Sequence, residues 1–152
     1  MLNKQEVLEH LRNAKKAHVK WVQRAEALIE GQPVQKEQLP VDCRECAFGQ
    51  WFYVEGQRLD IIPNMGCLKE IELLHEDLHA SYMKIFEIYF SETPSTFFAK
   101  LLGKKKKITE QDLVIAKHYY AQLKEISEKL IKEIDRLDRR LSALQSDVFA
   151  QA

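Results

Sequence analysis

The sequence predicts an all-α fold, an antiparallel four-helix bundle in which three helices are long and one is short. The 152 residues include only 5 Gly and 4 Pro, so few positions interrupt a helix. Several segments space their apolar residues in alternating steps of four and three, as in helices that pack at a shallow angle. The length suits a single domain over residues 1–152.

Composition and charge exclude several classes of protein. Lys plus Arg and Asp plus Glu are 23 each, so the chain lacks the basic excess typical of nucleic-acid binding. No apolar run approaches the roughly 20 residues of a membrane span, and the first residues do not resemble a signal peptide. Three cysteines are too few for a disulfide scaffold and indicate a reducing compartment. We expect a soluble cytoplasmic protein that neither binds nucleic acid nor inserts into a membrane.

The first long helix is predicted over residues 3–30. Gly31 and Pro33 stop it. Its apolar row contains one histidine and reads Val7, Leu11, Ala14, His18, Trp21, Ala25 and Leu28.

A short helix is predicted after the polar residues 32–40, and it carries Cys46. Asp42 is expected to cap this helix, with Glu45 three residues later as its partner in a capping box. The helix should end near Gly56, and residues 57–63 should form a connector.

The second long helix is predicted over residues 64–91, and Pro94 closes it. Residues 95–102 are expected to form one or two helical turns before Gly103, and the four lysines at 104–107 a solvated connector. The apolar row of the long helix again contains a histidine and reads Leu68, Ile71, His75, Leu78, Tyr82, Ile85 and Tyr89.

The last long helix is predicted from Thr109, a capping residue with Asp112 as its partner, to about residue 145. About 37 residues span roughly 55 Å, which is longer than the other helices. Its final turns carry Leu137, Leu141 and Leu144, for which the sequence suggests no cover within the chain. We therefore expect a homodimer in which a second copy covers this end; the alternative is a solvated overhang.

Histidines in apolar rows indicate a metal site. His75 and His79 lie four residues apart, so both rings project from one helix face and can bind a single ion. His18 occupies an apolar row on another helix, and burial of an imidazole costs free energy unless its nitrogens have partners. A thiolate from Cys46 would complete a set of three imidazoles and one sulfur, which favours zinc over magnesium or calcium. The alternative is a set of core histidines that bond to ordinary protein groups.

The arrangement of these residues closely resembles the chemoreceptor zinc-binding (CZB) domain family. It reads His18-x-x-Trp21, then 24 residues, then Cys46-x-Phe48-Gly49-x-Trp51, then 23 residues, then His75-x-x-x-His79. The resemblance implies a four-helix bundle that binds Zn²⁺ through His18, Cys46, His75 and His79. Trp21, Phe48, Gly49 and Trp51 would then pack around the site.

The resemblance also implies a role. Members of the family accompany bacterial chemoreceptors and diguanylate cyclases, or stand alone, and regulate signalling in response to zinc or oxidants. We expect this chain to be a stand-alone member and not an enzyme, because 152 residues leave no room for an attached output domain. It would act in chemotaxis or cyclic-di-GMP control through a signalling partner that the sequence does not identify.

Other interpretations of the same residues remain open. His75-Glu76-x-x-His79 matches the His-Glu-x-x-His helix of zinc metalloproteases, with Glu76 as general base, although the helical pattern supplies no sheet to bind a substrate. Both Glu-x-x-His pairs fall on one helix, whereas a ferritin-like di-iron site needs them on two. A structural zinc in an interaction module is a further alternative. Cys43 is either an inert cysteine or a redox partner that forms a disulfide with an oxidised Cys46.

Overall fold

The computed structural model describes residues 1–33, 40–90 and 107–152, and within these ranges it contains helices and no strand. The prediction of an all-α bundle of long helices is therefore confirmed. The helices are α1 (Lys4–Ile29), α2 (Ala47–Phe52), a 3₁₀-helix (Gly56–Ile61), α3 (Cys67–Tyr89), α4 (Glu110–Ala143) and α5 (Ser146–Ala150).

Helix α1 begins and ends where its sequence predicts. The Asn3 side chain caps it by accepting hydrogen bonds from the backbone N–H groups of Gln5 and Glu6. Gly31 follows the helix with φ of +84°, a left-handed conformation that glycine adopts without strain. Every member of its predicted apolar row is buried, including His18.

Helix α3 also buries the whole of its predicted apolar row. His75 is fully buried within it, and His79 lies one turn further along, 5% exposed. The row faces α4 and α1, which places both histidines in the interior of the bundle.

The three long helices do not all run in the same direction. The Lys4 ammonium donates to the carbonyl of Ser142, and Arg12 pairs with Asp138 at 3.2 Å, so α4 runs antiparallel to α1. The Lys84 ammonium lies over a ring early in α4, which makes α4 antiparallel to α3 as well. Helices α1 and α3 are therefore parallel. The chain returns between them, and the described residues 40–66 form the returning segment.

This returning segment differs from its prediction in three details, the first being that α2 ends at Phe52, before the predicted end near Gly56. Asp42 does not cap α2: its carboxylate accepts the Arg44 amide at 2.9 Å within a turn, and Cys46 is the capping residue. The thiol of Cys46 accepts the Gly49 amide at 3.2 Å, a role that the sequence did not suggest because hydroxyl and carboxylate groups dominate this position. Residues 57–63 are not a simple connector, since most of them belong to the 3₁₀-helix.

Helix α4 begins as predicted and ends earlier. Thr109 and Asp112 form the predicted capping box. The helix stops at Ala143, and the short α5 follows after a break at residues 144–145. Leu137 and Leu141 are fully buried within this one chain, and so is Phe149 of α5.

The prediction that no part of this chain covers the end of α4 is therefore wrong, and so is the alternative prediction of a solvated overhang. The first turns of α1 and the α5 turn supply the cover that periodicity alone did not reveal. Leu144 is half-buried against the same core. This argument for a second copy no longer holds, and the homodimer stays a prediction without it.

Some predictions fall outside the described residues. They concern most of the polar stretch at 32–40, the last residue of the helix predicted over 64–91, Pro94, the helical turns at 95–102, Gly103 and the first three of the four lysines at 104–107. Among the helices that the structure describes, none combines the length and the hydropathy that a membrane crossing needs.

Candidate metal centre

Four side chains that can bind a metal converge in the middle of the bundle. They come from three separate stretches of chain: α1 supplies His18, the start of α2 supplies Cys46, and α3 supplies His75 and His79. One nitrogen or sulfur atom from each lies within 4.8 Å of the others. Donors on one tetrahedral zinc ion lie roughly 3.3–3.6 Å apart, so a small contraction of the cluster would suffice. All four predicted candidates are brought together.

Backbone carbonyls orient two of the three imidazoles. Nδ1 of His18 lies 2.7 Å from the carbonyl oxygen of Ala14, one turn earlier in α1. Nδ1 of His79 lies 2.8 Å from the carbonyl oxygen of Val41, which belongs to the returning segment. A carbonyl only accepts, so each Nδ1 carries the proton and donates it, and each Nε2 keeps its lone pair. Outer hydrogen bonds of this kind are typical of histidines that bind metals.

Unpartnered nitrogens provide the test of whether these residues fit a metal. Nε2 of His79 and Nδ1 of His75 are buried, and neither has a hydrogen-bond partner among the described residues. An unpaired polar atom at such depth costs about 1–3 kcal/mol. Nε2 of His75 lies 3.3 Å from the sulfur of Cys46, close to the separation of two donors on one zinc ion. Three imidazoles and one thiol fit zinc, which would satisfy Nε2 of His79.

Burial keeps the imidazoles in the form that binds metals. It lowers the pKa of His18 to about 4 and that of His75 to about 2, and the pKa of His79 is lowered by the same cause. All three rings are therefore neutral at pH 7. Burial also raises the pKa of the Cys46 thiol, although the backbone amides of Gly49 and Phe48 act in the opposite direction. Without a cation beside it, this sulfur is a thiol, and it gives up its proton when it binds one.

Gly49 allows the turn at residues 42–46, the cysteine turn, to lie close to α2. A Cβ at position 49 would lie 1.8 Å from the carbonyl oxygen of Cys43, far inside van der Waals contact. The backbone that approaches Gly49 closely therefore belongs to the turn at Cys43 and Arg44. The absence of a side chain at Gly49 lets its amide reach the sulfur of Cys46.

Aromatic rings enclose the donors. The Trp21 ring packs on the imidazole of His79 with centroids 4.4 Å apart, and Phe48 meets His75 edge to face at 5.0 Å. Trp51 lies one turn further out, stacked on the exposed ring of His10 at 4.8 Å. These three aromatic residues are buried. They keep the donors in a largely apolar environment, where electrostatic interactions with a cation are strong.

A polar group borders the centre on the side of Cys46. The hydroxyl of Tyr53 donates to the Glu76 carboxylate at 3.2 Å and lies 3.9 Å from the sulfur of Cys43. The guanidinium of Arg44 stacks on the Tyr53 ring, 4.1 Å from its centroid. Glu76 is thus engaged with Tyr53, and the four converging donors already match a closed tetrahedral set. Neither feature favours the metalloprotease interpretation.

Sequence reasoning missed three contributors to this site. The carbonyls of Ala14 and Val41 belong to the backbone, which every residue type carries, so no pattern of side chains could have identified them. Tyr53 could have been identified from the sequence, because it follows the short helix directly. A tyrosine hydroxyl at that position can reach α3.

Comparison with known proteins agrees with this geometry. Residues 18–86 match the family model described as the chemoreceptor zinc-binding domain, a span that begins at the first donor and includes the other three. Neither the curated proteins nor the solved structures contain a significant match to the chain. The matched family is regulatory and binds zinc. Residues 18–86 match this family and contain three imidazoles and one thiol that fit zinc. The region over residues 18–86 belongs to the chemoreceptor zinc-binding domain family.

Proposed function

We propose that this chain is a zinc-binding regulatory module that acts in bacterial signalling, in chemotaxis or cyclic-di-GMP control, through a partner protein. The observation that carries the proposal is the convergence of His18, Cys46, His75 and His79 in the interior of the bundle. The family match over residues 18–86 supports zinc as the ion. We place the module in the cytoplasm and expect it to work as a homodimer.

The chain's own residues prepare the site in a defined way. The carbonyls of Ala14 and Val41 hold two imidazoles with their Nε2 lone pairs free. The amide of Gly49 donates to the Cys46 sulfur and stabilises its thiolate form. When bound, zinc supplies a cross-link among α1, the start of α2 and α3. Gain or loss of that cross-link changes how firmly the returning segment is held against the bundle, which is a change that a partner protein can sense.

Metal content of the purified chain tests the proposal directly. We expect one zinc per chain, reduced by Cys46→Ala or His79→Ala and unchanged by Cys67→Ala and His10→Ala, which remove residues of the same types outside the cluster. Cobalt substitution should give the intense visible bands of a tetrahedral site that includes sulfur. A stoichiometry well below one that Cys46→Ala does not lower further contradicts the site.

Oxidant sensing is a second candidate, favoured by the accessibility of one donor. Cys46 is half-buried whereas the three histidines are at most 5% exposed, so an oxidant reaches the sulfur first. Hypochlorous acid would take two electrons from the zinc-bound thiolate of Cys46 and the thiol of Cys43, which form a disulfide. The thiol proton of Cys43 and the OH of hypochlorous acid form water, and chloride leaves. Zinc release by one equivalent of hypochlorous acid, with a disulfide found by mass spectrometry, supports this candidate. Release without a disulfide leaves Cys43 outside the reaction.

Two further interpretations give different results in the same samples. A metalloenzyme predicts an open coordination position in the cobalt spectrum, and loss of activity in Glu76→Gln with zinc retained. A purely structural zinc predicts that the conformation, followed by tryptophan fluorescence, does not respond to physiological zinc levels or oxidants. A regulatory module predicts that it does, because Trp21 lies on the His79 ring.

A further inference from the structure

The four donors are not equally accessible from solvent. His18, His75 and His79 are 1%, 0% and 5% exposed, and only Cys46 among the four is half-buried. The cluster therefore opens to solvent on the side of its sulfur. An ion that enters or leaves the cluster passes this side, unless the helices separate.

Further metal-binding groups border that side. The carbonyl oxygen of Cys43 lies 3.5 Å from the sulfur of Cys46, and the thiol of Cys43 is 3.8 Å from a carboxylate oxygen of Asp42. The same thiol contacts the Tyr53 hydroxyl, which holds the carboxylate of Glu76. One sulfur and two carboxylates thus lie around the opening. They attract divalent cations, and they bind zinc as single ligands or in pairs.

The sulfur of Cys46 connects these outer groups to the buried cluster, because one ligand atom of His79 lies within 4.8 Å of it. Nε2 of His79 lies in a side chain that is 95% buried and has no hydrogen-bond partner among the described residues. An ion that moves from the opening past the Cys46 sulfur therefore reaches a donor whose burial is costly without a partner. The guanidinium of Arg44, in the same turn as Cys43, is engaged with the Tyr53 ring.

We propose that Cys43, with the carboxylates of Asp42 and Glu76, captures zinc transiently and passes it to and from the buried donors. The inference rests on the proposed function, because it requires that the buried cluster binds zinc. In such a transfer, the protein donors replace the water ligands of the ion one at a time. The ion therefore never has to lose its water before it gains a protein donor. The Cys43 thiol gives its proton to solvent when its sulfur binds the ion and regains one when the ion moves on, while Cys46 gives up its own.

A transient site of this kind changes rates without changing affinity. It lowers the barrier between free and bound ion, and the same barrier is crossed in both directions. Loss of the Cys43 sulfur should therefore slow zinc uptake and zinc release by the same factor and leave the dissociation constant unchanged. A permanent ligand at this position would behave differently, because its loss would mainly speed release and weaken binding.

Stopped-flow measurements on the full chain test the proposal. Uptake is followed on mixing the zinc-free chain with zinc sulfate, and release on mixing the loaded chain with saturating chelator. We expect Cys43→Ser to slow both rates about tenfold, with one zinc per chain and a dissociation constant within twofold of the wild type. Glu76→Gln, which removes one charge and keeps the side-chain shape, should slow both rates to a smaller extent.

Cys67→Ser is the matched control, because Cys67 is also half-buried but starts α3 on the face towards Glu133 and Arg136. It should leave both rates unchanged. Equal rates in Cys43→Ser and wild type overturn the proposal, and so does faster release with weaker binding. Cys43→Ala serves as a second variant if the serine chain fails to fold by circular dichroism. A wild-type chain that holds no zinc overturns the proposed function itself, which is a separate result.

Discussion

A Cβ at position 49 would lie 1.8 Å from the carbonyl oxygen of Cys43, so the smallest side chain already displaces the cysteine turn. That turn carries Cys46, and the Gly49 amide is also a hydrogen-bond donor to its sulfur. One glycine thus determines both the path of the turn and the environment of the donor. Gly66 offers a comparison, because nothing lies within 4 Å of a Cβ there and its backbone is helical.

We expect Gly49→Ala to weaken zinc binding at least tenfold and to lower the free energy of unfolding by about 1–3 kcal/mol, as overpacked sites do. Gly66→Ala should change that free energy by no more than about 0.5 kcal/mol and leave binding unchanged. Competition with a chelator gives the affinity, and urea denaturation gives the stability. Equal effects of the two substitutions would show that the close approach at Gly49 has no role.

The donors themselves could be predicted from sequence, and their supports could not. His18 and His75 stand in apolar rows where a polar ring is unexpected, so each is conspicuous. Cys46 was identified by its place in a motif, yet its second role as the cap of α2 was assigned to Asp42. A thiol is a weak acceptor, and nothing in local propensity distinguishes a capping cysteine from any other.

At the scale of elements, periodicity predicted the long helices because burial enforces it. The predicted rows of α1 and α3 are buried at every position. The 3₁₀-helix was missed, since such short turns have no apolar period of their own. The prediction for the end of α4 was wrong for a different reason. Part of its cover comes from Lys4 and its neighbours in α1, which are distant in sequence. The rest comes from α5, which follows a break in the helix.

The covered end of α4 can be tested with one substitution. Leu141 is fully buried, so Leu141→Ala should lower the free energy of unfolding by about 2–5 kcal/mol. Val114, on the same helix, is 67% exposed, and Val114→Ala should cost no more than about 0.5 kcal/mol. Urea denaturation at two protein concentrations measures both. A cost for Leu141→Ala below 1 kcal/mol would mean that this end is not packed within the chain, and a dependence on concentration would restore the dimer as its cover.

At the scale of the whole molecule, the buried imidazoles connect stability to pH. Their pKa in the folded chain lies well below the unfolded value of 6.5, at about 4 for His18 and about 2 for His75. Above pH 6.5 both states are neutral at these rings, so there is no penalty. Below it the unfolded chain takes up protons that the folded chain does not, and stability falls as the pH falls.

The metal-free chain should therefore lose about 2 kcal/mol of unfolding free energy between pH 7 and pH 5 for each histidine that stays neutral. Urea denaturation in the presence of chelator measures this. His18→Gln should reduce the difference between the two pH values, whereas His10→Gln, at an exposed ring, should not. The same pH dependence in His18→Gln and in the wild type would contradict the assignment of a neutral buried ring.

The parallel course of α1 and α3 has a consequence for the unfolded chain. Because the connection must run back along the bundle, Cys46 lies 28 positions after His18 in the sequence, and His75 lies 29 positions after Cys46. An unfolded chain that gathered all four donors would have to close two loops of this size, each at an entropic cost of about 3–4 kcal/mol. It can offer only His75 and His79 as a local pair, and that pair only when helical. Zinc therefore distinguishes strongly between folded and unfolded chains, and in a newly made protein the arrival of the ion would report that the whole bundle has assembled.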